Sequence, residues 1–79
     1  MLNQELLEKV CAVAAKACNA DAATVTAETL WREELNMKSV YAMKVCALLK
    51  VKTGADITPT DLGTCQTIAD TVALVESRL

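Results

Sequence analysis

Ser39 has the clearest claim to chemistry in this 79-residue chain, and the first question is what could activate it. The chain has no histidine, so a Ser-His-Asp centre is excluded. Lys38 and Lys44 are the nearby bases. Lys38 is adjacent in sequence, and neighbours one apart on a helix do not face each other. A Ser-Lys dyad would also need a substrate pocket, which the pattern does not supply. A passive role fits better. The serine stands in "EELNMKSVYAMKVCALLKVKTG", residues 33–54, near the start of a helical pattern. A hydroxyl there is accessible to a modifying enzyme. A phosphodiester formed on it would lie near free backbone N–H groups and the positive end of the helix dipole. The plain alternative is a capping serine, worth about 1 kcal/mol. The residues alone leave both open.

The other reactive side chains are Cys11, Cys18, Cys46 and Cys65. They are widely spaced, form no CxxC pair and have no histidine beside them, so zinc ligation is not expected. Four cysteines would allow a disulfide scaffold by count. However, Met1 to Asn3 lead directly into a charged amphipathic pattern rather than a signal peptide. Small buried or half-buried thiols in a reducing, cytoplasmic setting are therefore expected. No apolar run approaches the length of about 18 residues needed to span a membrane.

Net charge is −2, unevenly spread. Residues 38–52 hold Lys38, Lys44, Lys50 and Lys52 and no acid, whereas the rest of the chain carries four basic and ten acidic residues, a net of −6. Four lysines without arginines or interleaved aromatics are weak grounds for nucleic-acid binding. A solvated charged face and a partner-steering surface are both compatible with them.

These residues must be positioned by a small domain, residues 1–79, with little core to spare: a 60-residue domain buries only about 60% of its unfolded surface. The composition is 53% hydrophobic, with no Phe, one Trp and one Tyr. Such small side chains suit closely packed helices. Leu6, Leu7, Val10, Val13, Ala14 and Ala17 recur at helical spacing over residues 2–18, with Asn3 as a cap. Residues 19–35 predict a long connection with a short helical turn near 27–34. Leu30, Trp31 and Leu35 should tuck into the bundle, with the indole N–H of Trp31 in need of a partner. Residues 36–52 predict a second helix capped by Asn36 or Ser39 and stopped near Gly54. Its apolar residues, Val40 and Met43 among them, occupy more than one narrow stripe. Some of that surface should be exposed or line a cavity. Thr58, Pro59 and Asp61 predict a short capped helix ended by Gly63. Thr67 and Asp70 open a last helix over 67–78, with Ile68, Val72, Val75 and Leu79 on one face.

With its long first loop and later "ADITPTDL" and "TIADTVALV" segments, the chain resembles an acyl carrier protein over nearly its whole length. That family is a small all-α four-helix bundle, with three longer helices and one short one. It is not an enzyme. It carries acyl intermediates as thioesters on a covalent 4'-phosphopantetheine arm attached to a serine. The family's centre is an Asp-Ser-Leu or similar triplet after an "LG"-like segment. Here the corresponding residues are Leu35, Asn36, Met37, Lys38, Ser39 and Val40. The resemblance implies attachment at Ser39 and an acyl cavity lined by Val40, Met43, Ile57 and Ala69. It also implies a cytoplasmic monomeric phosphoprotein of fatty-acid, lipid or specialised acyl biosynthesis. Its partners would be a phosphopantetheinyl transferase and acyl-transferring or condensing enzymes. Lys38 departs from the family's acid before the serine, and Lys44, Lys50 and Lys52 reverse the usual acidic second helix. Partner contacts through Lys38, Val40, Lys44, Lys50 and Lys52 would then favour acidic docking faces. The alternative is an unmodified protein of the same fold that acts by docking.

Overall fold

The computed structural model describes residues 3–35 and 38–79, with Ser39 described by its backbone alone. Its α-helices are α1, Gln4–Ala17; α2, Ser39–Thr53; α3, Pro59–Gly63; and α4, Ile68–Ser77. The three longer helices and one short helix are those expected of a four-helix carrier bundle. Helix α1 is the centre of the packing, with α2 and α4 against it and α3 against α2.

Helix α1 forms because its start is capped and one face is apolar. The Asn3 side-chain oxygen accepts from the N–H groups of Glu5 (3.0 Å) and Leu6 (3.2 Å), donors that have no partner inside the helix. Leu6, Val10, Val13, Ala14 and Ala17 are buried, and Leu7 packs at the edge of the core. After Cys18 the chain turns at Asn19, with φ 56°. Asparagine tolerates that left-handed conformation because its short side chain bonds locally.

The connection to α2 holds two short turns. One is a 3-10 helix over Ala22–Thr24, capped by Asp21. The other lies within the expected residues 27–34, a single helical turn closed by the Glu34 N–H on the Leu30 carbonyl (3.0 Å), while further hydrogen bonds of this segment go across the molecule. The Trp31 N–H donates to the Gln66 carbonyl (3.0 Å), and the N–H groups of Ile68 and Ala69 donate to the carbonyls of Thr29 (3.0 Å) and Ala27 (2.9 Å). Leu30 and Thr67 form an antiparallel bridge. The loop thus satisfies the free donors at the start of α4 as well. Trp31 and Leu35 are buried and Leu30 is half-buried. The indole N–H of Trp31 finds its partner in the Thr71 hydroxyl, at 2.8 Å.

Capping boxes start α3 and α4. Thr58 Oγ1 accepts from the Asp61 N–H (3.1 Å) while Asp61 accepts from the Thr58 N–H (3.2 Å); Thr67 and Asp70 repeat the exchange at 3.2 Å in each direction. Two stops differ from expectation. Gly63 is the last residue of α3 and Thr64 is its C-cap, whose N–H returns to Asp61 and Leu62. Leu79 does not join Ile68, Val72 and Val75 in the core: α4 ends at Ser77, and Leu79 beyond it is 66% exposed.

Candidate functional site at the start of α2

Helix α2 begins at Ser39, so the serine is its first helical residue rather than its cap. The cap position belongs to Lys38, in extended backbone, whose side chain makes no cap hydrogen bond. Asn36, the other expected cap, lies outside the described residues, as does Met37. The other helices described all receive a side-chain cap, from Asn3, Asp21, Thr58 or Thr67. The first turn of α2 contains no acid, while its last turn holds Lys50 and Lys52. At the far end Gly54 adopts φ 84° and its N–H donates to the Lys50 carbonyl at 2.9 Å, closing the helix in a conformation glycine takes without a Cβ penalty.

The inward side of α2 is Ala42, Val45, Cys46 and Leu49. Its outward side is apolar as well: Val40 is 60% exposed, Met43 64% and Val51 81%. Lys44, Ala47 and Lys50 are also exposed. At 100° per residue, Val40, Met43, Ala47 and Val51 form one strip, with Lys44 along one edge and Lys50 along the other. Lys38 and Lys52 are exposed at the two ends. The expectation that α2 would leave apolar surface unburied is met by this strip.

Beside the start of α2 is a cleft of about 330 Å³ lined by Trp31, Arg32, Lys38, Ala42, Pro59, Leu62, Gly63 and Cys65. Helices α2 and α3 form two of its walls, and the loop through Trp31 forms another. The residues expected around cargo are spread more widely: Ile57 is buried, Ala69 is half-buried on α4, and Val40 and Met43 face solvent. None of these four is among the residues lining this cleft. Arg32, Leu62 and Cys65 were not singled out as site residues from the sequence. No local pattern marks them; only the packing of the loop and α3 brings them to Lys38.

The thiols are poor nucleophiles. All four cysteines are free, and burial pushes each thiol above its ordinary value. The Cys65 thiol makes a long contact, 3.8 Å, with the Asp61 carbonyl. Asp61 itself is held below the ordinary carboxylate range, first by Arg78, whose Nη1 donates to its Oδ2 at 3.1 Å, and then by Thr58. No cluster of metal-ligating side chains occurs among the described residues. No helix among them is long and apolar enough to cross a membrane.

The family profile described as "Phosphopantetheine attachment site" matches residues 8–75. Acyl carrier protein 2 of Ralstonia nicotianae is 30% identical over 79 residues, spanning 100% of this chain and 98% of the relative. The chain belongs to the acyl carrier protein family. Membership brings a covalently attached 4'-phosphopantetheine prosthetic group. The start of α2 suits an anionic attachment of that kind. It has no acidic side chain in its first turn, and Arg32 and Lys38 line the cleft beside it.

Proposed function

We propose that Ser39 carries the phosphopantetheine arm and that the protein, a carrier rather than an enzyme, presents acyl groups to other enzymes. The observation carrying this reading is that a serine opens α2 within a chain of the acyl carrier family. When bound, the arm supplies a terminal thiol that holds acyl groups as thioesters. The chain's own residues do the rest. The dipole of α2 and the cation of Lys38 favour a phosphodiester at the helix start. Ile57 and Ala69 are the proposed inner surfaces for cargo, with Val40 and Met43 at its outer edge. A tethered arm raises the local concentration of cargo at whichever enzyme the carrier meets.

Partner contact is assigned to the exposed side of α2. Val40, with Met43 and Val51, offers apolar area, while Lys38, Lys44, Lys50 and Lys52 select enzymes with acidic docking faces. The partners are a phosphopantetheinyl transferase and acyl-transferring or condensing enzymes of fatty-acid or specialised acyl biosynthesis in the cytoplasm. The carrier meets them as a monomer of one domain.

Intact mass of the protein from its native host tests the assignment. A gain equal to the arm, mapped to Ser39, is the expected result; an unmodified native protein would overturn it. The lysine before the serine favours a second reading, an unmodified carrier fold that works by docking. In that case Ser39→Ala keeps both partner binding and cellular function. Loss of function in a folded Ser39→Ala protein removes that alternative.

A further inference from the structure

We propose that the groove between α1 and residues 22–28 binds the outward strip of α2 from a second copy of this chain. The contact goes beyond the carrier reading and does not depend on it.

The groove has a volume of about 480 Å³, and none of its lining residues belongs to α2, α3 or α4. Leu7, Cys11 and Ala12 form its apolar wall on α1, and buried Val25 adds to it from the loop. One acid stands on each wall: Glu8 on α1 and Glu28 on the loop, both exposed. No cation is among the described lining residues. The ion pairs of the described residues are Lys9–Glu5 and Arg78–Asp61, so neither Glu8 nor Glu28 takes part in one.

The strip on α2 has the opposite plan. Val40, Met43, Ala47 and Val51 run between Lys44 and Lys50, and neither lysine takes part in those ion pairs. A ridge of apolar side chains with a cation on each edge matches a groove of apolar side chains with an anion on each wall. Burial of apolar surface supplies attraction, and the four charges select the partner and its orientation. The uneven charge of the chain points the same way, with +4 over residues 38–52 and −6 over the rest.

One chain cannot fill its own groove. Helix α2 is held against α1 with Val45, Cys46 and Leu49 buried, which leaves the strip in solvent. The match between unlike surfaces is therefore made from copy to copy. A groove of this size covers less than a standard interface, so the association is weak and reversible. The same strip is assigned to enzymes. A docked copy and an enzyme exclude one another, and the chain that meets an enzyme is a monomer.

Sedimentation equilibrium of the full chain tests this, with a reductant present to keep Cys11 from forming a disulfide. The weight-average mass should rise with protein concentration at low salt. In about 1 M salt the association constant should fall about twofold to thirtyfold, the range for screening two exposed ion pairs. Uncharged substitutions separate the two surfaces. Met43→Gln with Val51→Gln spoils the strip, and Ala12→Gln obstructs the groove. All three positions are exposed, so the variants should keep the fold, which circular dichroism checks. Each variant alone should be monomeric. An equal mixture should associate, because one supplies an intact groove and the other an intact strip. In the native chain, amide NMR shifts that grow with concentration should fall on residues 7–12, 25–28 and 40–51 and spare α4, a result that needs no variant.

A monomer at every concentration overturns the proposal and leaves the groove to another occupant. So does association that both variants keep, a mixture that stays monomeric, or an association that salt strengthens. None of these measurements needs an arm on Ser39, so a failure here is distinct from a failure of the carrier reading, which the intact mass decides.

Discussion

Trp31 and Thr71 carry a buried polar contact between positions 40 residues apart. The indole is 1% exposed and the threonine is fully buried, so water cannot replace either partner. Thr71→Val keeps the shape and removes the acceptor. It should lower stability by about 1–3 kcal/mol, the cost of a buried donor left unpaired. Thr71→Ser keeps the hydroxyl and loses one methyl, which should cost about 0.8 kcal/mol. Urea unfolding of both variants measures this, and equal losses would mean that the hydrogen bond contributes little. The need for a partner was legible at Trp31 itself, because an apolar segment carried an N–H into the core. The identity of that partner was not, although Thr71 interrupts the apolar spacing of Ile68, Val72 and Val75. Thiol reactivity belongs to the same scale. At neutral pH a disulfide reagent should modify half-buried Cys11 before the buried Cys18, Cys46 and Cys65. Simultaneous reaction of all four in the folded protein would contradict their burial.

Helix α2 owes its ends to two unlike residues. Gly54→Ala places a Cβ where φ is 84°, with no heavy atom within 4 Å of it. The penalty is then conformational alone, and a loss of about 1–2 kcal/mol in chemical unfolding is expected. At the other end, Lys38→Asp supplies a capping oxygen and places a negative charge at the positive pole of the dipole. It should raise stability by about 0.5–1 kcal/mol. On the carrier reading it should also speed modification by a general-purpose transferase, since it supplies the acid that the resemblance implies before the serine. A stability gain without a rate gain would move the mismatch to Lys44 or to the loop before the helix. The apolar and basic composition of α2 could be read directly along the chain. Which side turned outward depended on α1 and α3, which take Val45, Cys46 and Leu49 and leave Met43 and Val51 in solvent.

At the scale of the whole molecule, Arg78 ties the end of α4 to the α3 region. Its Nη1 donates to the Asp56 carbonyl and to Asp61, both at 3.1 Å. Arg78→Ala should therefore speed amide exchange across α3 more than across α1. The pH dependence follows from Asp61, whose folded pKa is lowered from the ordinary value of 3.8, chiefly by Arg78. A lowered acid contributes stability that is present above its unfolded value and lost as pH falls through its folded one. The stability gap between the native protein and Arg78→Ala should be fully present at neutral pH and close in acid. A gap that persists at low pH would assign the effect to the carbonyl contact with Asp56 instead. Asp70, lowered by the backbone N–H groups of Gln66 and Thr67, should fail over the same acid range in both proteins.

Helices and their caps could be read from the chain because the forces that make them act over three or four residues. Asn3, Thr58 with Asp61, and Thr67 with Asp70 satisfy donors within one turn, and the apolar repeats of α1 and α4 follow the helical period. Family resemblance likewise lay in short segments in register. The loop and the cleft obey different physics. Residues 27–34 read as a connection with a short helical turn, and the turn is there at 30–34, but the pairing of this segment with the start of α4 left no local mark. Leu79 kept the period of α4 but fell beyond its last turn. Arg32 and Lys38 became neighbours of Leu62 and Cys65 only when α3 packed against α2. Long-range hydrogen bonds and shared burial form after distant segments meet, so local spacing carries no record of them.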